Sequence, residues 1–134
     1  MRSGWAHGDF WTANLLVAGD RLTGVLDWDG ATADGLPLSD LLHLLAHADR
    51  ESRRLPHGRR CLERLWPLAR RGDDPALLAY CEATELPPDA LEPLAVAYWL
   101  ERVARDLRTF ADRAGRLAWI DVNVLRPLAA LDSW

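Results

Sequence analysis

The sequence predicts a mainly α domain with a small β-hairpin near its start, and three observations carry that reading. Beyond residue 38, apolar residues recur at helical spacing in stretches separated by Pro and Gly. Ahead of them, two short apolar runs flank a Gly-Asp pair. The 134 residues, 49% hydrophobic and 27% charged, suit one globular domain with a core of its own rather than a disordered chain.

The first regular elements are Leu15-Leu16-Val17 and Leu22 to Leu26, joined across Ala18-Gly19-Asp20-Arg21, where Gly and Asp suit a turn of unusual φ. Antiparallel pairing of these runs brings Asn14 and Asp27 to the same end of the hairpin. Ser39 or Asp40 then caps a helix reaching about Ala48, with Leu41, Leu42, Leu44 and Leu45 on its apolar face. A polar break containing Pro56 and Gly58 precedes a helix from about Arg59 to Arg71, which Pro67 should kink or end early. Asp74 followed by Pro75 starts another, to about Ala83. After Pro87-Pro88 comes the longest helix, from about Asp89 to Ala114, striped by Leu91, Ala95, Tyr98, Trp99, Val103, Leu107 and Phe110. Gly115 stops it, and a last helix runs from about Ala118 to Leu131. No internal repeat, low-complexity tract or linker stands out. The whole chain, 1–134, reads as one domain, divided into residues 1–37 and a helical subdomain over 38–134.

Composition narrows the class of function. No run approaches eighteen consecutive apolar residues, and the start lacks the charged-then-apolar layout of a signal peptide, so a cytoplasmic location away from membranes is expected. Cys61 and Cys81 are isolated and are expected as reduced, buried thiols. A net charge of −4 weighs against a general nucleic-acid binder.

The chemistry is concentrated in His7-Gly8-Asp9-Phe10-Trp11-Thr12-Ala13-Asn14, followed by Asp27-Trp28-Asp29. Phosphoryl transfer by a kinase needs an Asp that accepts the hydroxyl proton, an Asn five residues on that offers an oxygen to Mg²⁺, and a further metal-holding carboxylate. Asp9 and Asn14 have that spacing, and Asp27 ends an apolar strand. This pattern, with Gly35-Leu36-Pro37-Leu38-Ser39-Asp40-Leu41 after it, resembles the aminoglycoside phosphotransferase and choline kinase-like family closely over residues 4 to 45. The resemblance implies the C-terminal lobe of a protein-kinase-like fold, ATP and Mg²⁺ as cofactors, and a small-molecule hydroxyl as acceptor. It makes Asp9 the catalytic base and Asn14 and Asp27 the metal ligands. It also makes Asp40 a buried carboxylate bracing the catalytic loop, and His7 a loop-orienting residue.

The departures matter as much. The family's nucleotide-binding lobe with its Gly-rich loop has no counterpart in this sequence, and all 16 basic residues are Arg, leaving no lysine for the α- and β-phosphates. The expectation is therefore a kinase C-terminal lobe without its N-terminal lobe, incomplete and weak or inactive alone. The alternative is a non-catalytic remnant that binds a partner. In the family a helix from upstream packs under the catalytic loop; without it an apolar groove is expected, near some of the seven Trp, for a missing lobe on another chain or for self-association.

Other features divide between functional and structural readings. Asp29, two residues after Asp27 on an extended strand, would share its side and serve as supporting metal partner or as a solvent-facing acid. Trp28 reads as a packing residue. His43 and His47 have zinc-ligand spacing but no convincing third ligand, so they read as structural. Residues 50–71 hold eight Arg against Glu51 and Glu63, either a solvated face or a steering patch for anions. Residues 72–101 hold seven acids and no Arg, so the two signs together leave the acceptor unnamed.

Overall fold

The computed structural model describes residues 4–48, 50–109 and 115–132. It is mainly helical, with two small antiparallel two-stranded sheets. The expected hairpin is present: β2 (Leu15–Ala18) pairs with β3 (Arg21–Val25). Leu15 faces Val25 and Ala18 faces Arg21, with an irregularity after Leu16. Gly19 takes φ +64 at the turn, the left-handed conformation that favours glycine.

A second sheet was not foreseen. The strand β1 (Gly4–Ala6) pairs with β4 (Thr32–Gly35). Three residues are too few to show a strand period, and only the contact with β4 makes Gly4–Ala6 one. A Cβ on Gly35 would collide with the Ala6 side chain, so the close approach of these strands depends on glycine there.

The helices follow the expected order with corrected detail. α1 spans Ser39–Ala46, and neither Ser39 nor Asp40 caps it. Leu38 precedes it with φ 71, its N–H donating to the Tyr80 hydroxyl at 2.9 Å, while the Asp40 carboxylate is engaged elsewhere. A short helix α2 (Arg50–Arg54) occupies the expected polar break. α3 (His57–Arg60) and α4 (Trp66–Arg71) are joined by a π-helical turn, Cys61–Leu65. Pro67 therefore does not end the helix, which passes it by way of that π-turn. It lacks an N–H for the carbonyl four residues back, and the ladder widens just ahead of it, with Trp66 N–H reaching the Cys61 carbonyl.

The same device recurs ahead of Pro127, between α7 (Leu117–Ile120) and α8 (Arg126–Leu131), where Arg126 N–H reaches the Asp121 carbonyl. The sequence does repeat a short pattern, Leu-x-Pro-Leu-Ala, at Leu65, Leu91 and Leu125, contrary to expectation. α5 spans Pro75–Thr84, and the Asp74 side chain caps it by accepting from Ala76 and Leu77 N–H. α6 (Leu91–Thr109) is the central helix; Phe110 and the expected helix end near Gly115 fall on or beside residues outside those described.

The core surrounds α6. Leu91, Ala95, Tyr98, Trp99 and Val103 on its buried face meet Leu42 and Ala46 of α1, Leu65 and Trp66 of the π-turn and α4, and Leu77 of α5. Trp66 and Trp99 meet edge to face at 5.6 Å, and each indole N–H is satisfied, by the Ala95 and Asn123 carbonyls respectively. Gly58 N–H donates to Asn123 Oδ1, and a Cβ there would strike the Val122 carbonyl. Both cysteines are free and buried, and burial pushes both thiols up. No described helix is long and apolar enough to cross a membrane.

Candidate functional site

The segment His7–Asn14 is a loop that ends in a 3₁₀ turn, Thr12–Asn14. It runs directly into β2, and Leu26 N–H donates to the Asn14 carbonyl at 2.8 Å. Asn14 thus lies alongside the residue before Asp27, at the open end of the hairpin. The Asn14 amide nitrogen donates to the Asp9 carbonyl at 2.9 Å and to Asp9 Oδ2 at 3.3 Å. With its nitrogen committed to Asp9, its amide oxygen is the side-chain atom left for another ligand.

Asp27 is exposed, with φ 61 and ψ 66, a left-handed conformation that costs a non-glycine residue and recurs at functional sites. Its side chain makes no hydrogen bond or ion pair among the described residues. A 3₁₀ turn, Trp28–Gly30, follows it directly. That turn removes the strand alternation expected to place Asp27 and Asp29 on one side, and Asp29 stands exposed in it. Trp28 packs only in part: it is 53% exposed, yet its ring edges against His7 at 4.7 Å and its N–H donates to the Val25 carbonyl.

The loop is braced from three directions. His7, buried at 3% exposure, has Nε2 2.8 Å from the Leu26 carbonyl and Nδ1 3.3 Å from Asp9 N–H. Only a neutral ring with its proton on Nε2 satisfies both, linking the loop to the strand end before Asp27. Asp40, half-buried rather than fully buried, accepts from His7 N–H at 2.6 Å and from Gly8 N–H at 2.9 Å. The Gly8 carbonyl accepts from Arg102 at 2.8 Å and from Arg105 at 2.7 Å. Gly8 itself needs glycine: its φ is +78, and a Cβ would lie 2.5 Å from the Gly30 carbonyl oxygen.

The Asp9 carboxylate has neighbours that sequence reasoning missed. His43 Nε2 is 3.2 Å from Oδ1, and an Arg102 nitrogen is 3.7 Å from the same oxygen. His43 Nδ1 meets the Tyr98 hydroxyl at 2.8 Å. Burial first, then the Arg102 charge, lowers the His43 pKa from 6.5 to about 2, so the ring is neutral. His47 packs on it at 4.3 Å, holding the His43 carbonyl through Nδ1 and meeting Arg60 through Nε2. One signal was available: His43 lies three residues after Asp40, hence on the same helix face as a residue already assigned to the loop. Nothing in the local sequence singled out Tyr98, Arg102 or Arg105.

Among the described residues, no group of three or more His, Cys, Asp or Glu is placed to hold a metal ion. The Arg-rich run is largely committed: Arg59 pairs with Glu63, Arg64 with Glu51, Arg70 with Glu92 and Arg71 with Asp73. Arg60 is buried, donating to the Ser52, Arg53 and Leu55 carbonyls at the end of α2. A cleft of about 660 Å³ opens between β1, the start of α1 and the end of α5, bordered by Trp5, Leu36, Pro37, Leu41, Tyr80 and Leu86.

A sequence profile of the phosphotransferase enzyme family matches residues 1–70, just over half of the chain. The chain belongs to that family. Neither curated proteins nor solved structures gave a match. The region matched to the phosphotransferase enzyme family contains His7, Asp9, Asn14, Asp27, Asp40 and His43; Tyr98, Arg102 and Arg105 lie beyond it. Kinases of this family generally use ATP and Mg²⁺.

Proposed function

We propose that this chain is the catalytic C-terminal lobe of a small-molecule kinase that transfers the γ-phosphoryl of ATP to a substrate hydroxyl. The observation that carries the reading is the engagement of the Asn14 amide nitrogen by Asp9, which leaves the Asn14 oxygen beside the strand end that leads to the Asp27 carboxylate, unpaired among the described residues. Two hard oxygen donors without a partner among the described residues suit Mg²⁺, which takes few protein carboxylates and keeps oxygens of phosphate and water. Asn14 and Asp27 would hold the ion, which when bound neutralises charge on the β- and γ-phosphate oxygens.

Asp9 accepts the proton of the acceptor hydroxyl as the new bond from that oxygen to the γ-phosphorus forms and the bond to the β–γ bridging oxygen breaks, releasing ADP. Its carboxylate is one-third exposed, so it keeps lone pairs open to substrate while His43 and Asn14 fix its orientation. Asp29 contributes charge near Asp27 without sharing its strand face. The helical half, from residue 38 onward, braces the loop and shapes the acceptor side.

Calorimetric titration with Mg²⁺ and ATP tests the metal half, and Asp27→Asn should abolish the binding. Asp9→Asn should remove turnover and spare nucleotide binding. Equal loss of both would overturn the base assignment. A second reading, a domain that binds a partner chain or a second copy, is favoured by the apolar cleft beside Trp5, which is 77% exposed. A monomer by light scattering, with no binding of an apolar dye, would exclude it.

A further inference from the structure

We propose that His43 is a positioning residue for Asp9: a neutral hydrogen-bond donor, locked by Tyr98, that holds the Asp9 carboxylate in place and away from Arg102. The inference rests on the kinase reading only for what Asp9 does, and not for the contact itself.

The direction of the relay follows from the atoms. Tyr98 is 1% exposed and His43 is 4% exposed, so both side chains are largely withdrawn from bulk solvent and their protein partners dominate. If the Tyr98 hydroxyl donates to Nδ1, the single ring proton sits on Nε2, facing Asp9 Oδ1 at 3.2 Å. In the opposite arrangement, Nδ1–H would donate to Tyr98 and the Nε2 lone pair would face a carboxylate oxygen at that same distance, which is repulsive. The phenol proton would then also need an acceptor, and Tyr98 makes no other hydrogen bond among the described residues. The chain of donation is therefore Tyr98 O–H to His43 Nδ1, and His43 Nε2–H to Asp9 Oδ1.

The consequence concerns Arg102. Its guanidinium stands 3.7 Å from Oδ1 and is tethered to the Gly8 carbonyl at 2.8 Å. An unopposed guanidinium closes on a carboxylate through two parallel hydrogen bonds, and that would take up the lone pairs a general base needs. His43 occupies the Oδ1 direction with a neutral donor and keeps Arg102 at long range. The carboxylate is oriented without being neutralised.

The test uses the intact chain and has two arms. Nitrogen-15 NMR of the His43 ring needs no turnover: the wild type should show one tautomer with the proton on Nε2, and Tyr98→Phe should shift the Nδ1 signal, which loses its donor, while the proton stays on Nε2. A mixture, or a proton on Nδ1, in the wild type would overturn the proposal. In steady-state kinetics His43→Leu should lower kcat about tenfold or more while KM for ATP stays within about twofold. His43→Gln, which keeps a neutral N–H donor, should recover most of the loss. Wild-type kcat in His43→Leu, with Asp9→Asn inactive, would sink the proposal and leave the kinase reading standing. If instead Asp9→Asn kept full activity, the base assignment would fall, and the tautomer would still decide whether Tyr98 locks His43 onto Asp9. Should His43→Leu fail to fold, Tyr98→Phe and His43→Gln carry both arms.

Discussion

Lowering the pH from 8 to 5 should destabilise this protein by about 4 kcal/mol through two histidines alone. His43 is lowered from 6.5 to about 2 and His57 from 6.5 to about 3, in both cases by burial first and the Arg102 charge next. The sign follows from proton counts. In the folded protein both rings stay neutral down to low pH, whereas in the unfolded chain both take up a proton as pH falls through 6.5. Their contribution is fully present above 6.5 and is lost below it. At pH 5 an unfolded histidine of pKa 6.5 is favoured by RT ln(1 + 10^1.5), about 2 kcal/mol, so two give about 4. His47, also lowered by burial, acts in the same direction. Since small domains have roughly 5–15 kcal/mol in total, the effect is large. Urea unfolding at pH 8, 6.5 and 5 measures it: with a slope of about 2 kcal/mol per molar, the midpoint should fall by about 2 M. His43→Gln should remove about half of the pH dependence. Stability at pH 5 equal to that at pH 8 would refute the neutral buried histidines.

Asp40→Ala should cost about 2–5 kcal/mol, because it strands the His7 and Gly8 N–H groups that the carboxylate now accepts from; thermal unfolding reads this directly. Gly8→Ala adds a Cβ 2.5 Å from the Gly30 oxygen at φ +78, so about 1–3 kcal/mol of strain and a displaced loop are expected, seen as lost stability and altered Asp9 and Asn14 NMR signals. Gly58→Ala should destabilise by about 1–3 kcal/mol without touching the loop, since its Cβ meets the Val122 carbonyl across two packed helices; circular dichroism melts would show it. Cys61 should resist a thiol reagent in the folded state and react on unfolding, because burial suppresses its thiolate.

What was legible in the sequence was local. The hairpin announced itself through Gly19 at a positive-φ turn between two apolar runs, and α5 through Asp74-Pro75 at its start. Asp9, Asn14 and Asp27 stood out because kinase chemistry fixes the first spacing and the hairpin fixes the second. What was not legible came from distant contact. Gly4–Ala6 becomes a strand only against Thr32–Gly35, and the π-turns form only because a helix that tertiary packing holds together must pass Pro67 and Pro127. Asp40 reads as a helix cap by residue type, yet the loop N–H groups 32 and 33 residues away claim its carboxylate. The expectation that Asp27 and Asp29 share one strand face failed for a similar reason: the chain leaves β3 towards a left-handed residue, Asp27, and alternation ends there.

The His7–Asn14 loop is held in large part by side chains it does not contain. Its N–H groups are held by Asp40, its Gly8 carbonyl by Arg102 and Arg105, and its Asp9 carboxylate by His43, which is in turn fixed by Tyr98. Three of these five residues lie on α6, beyond the part of the chain that matches the phosphotransferase enzyme family. Arg102 and Arg105 are three apart, and Tyr98 lies one turn before Arg102, so one stripe of α6 holds the Gly8 carbonyl directly and the Asp9 side through His43. A substitution that rotates or shifts α6 in the core should therefore reach the site without touching it. Trp99, 1% exposed and hydrogen-bonded through its indole to Asn123, is the place to impose that shift. Trp99→Phe keeps the apolar contact but leaves the Asn123 carbonyl without that donor, at about 1–3 kcal/mol. If α6 sets the loop, the His43 and Gly8 NMR signals move together in that variant. If they stay fixed while stability falls, the loop is held from α1 alone and Arg102 and Arg105 are passengers.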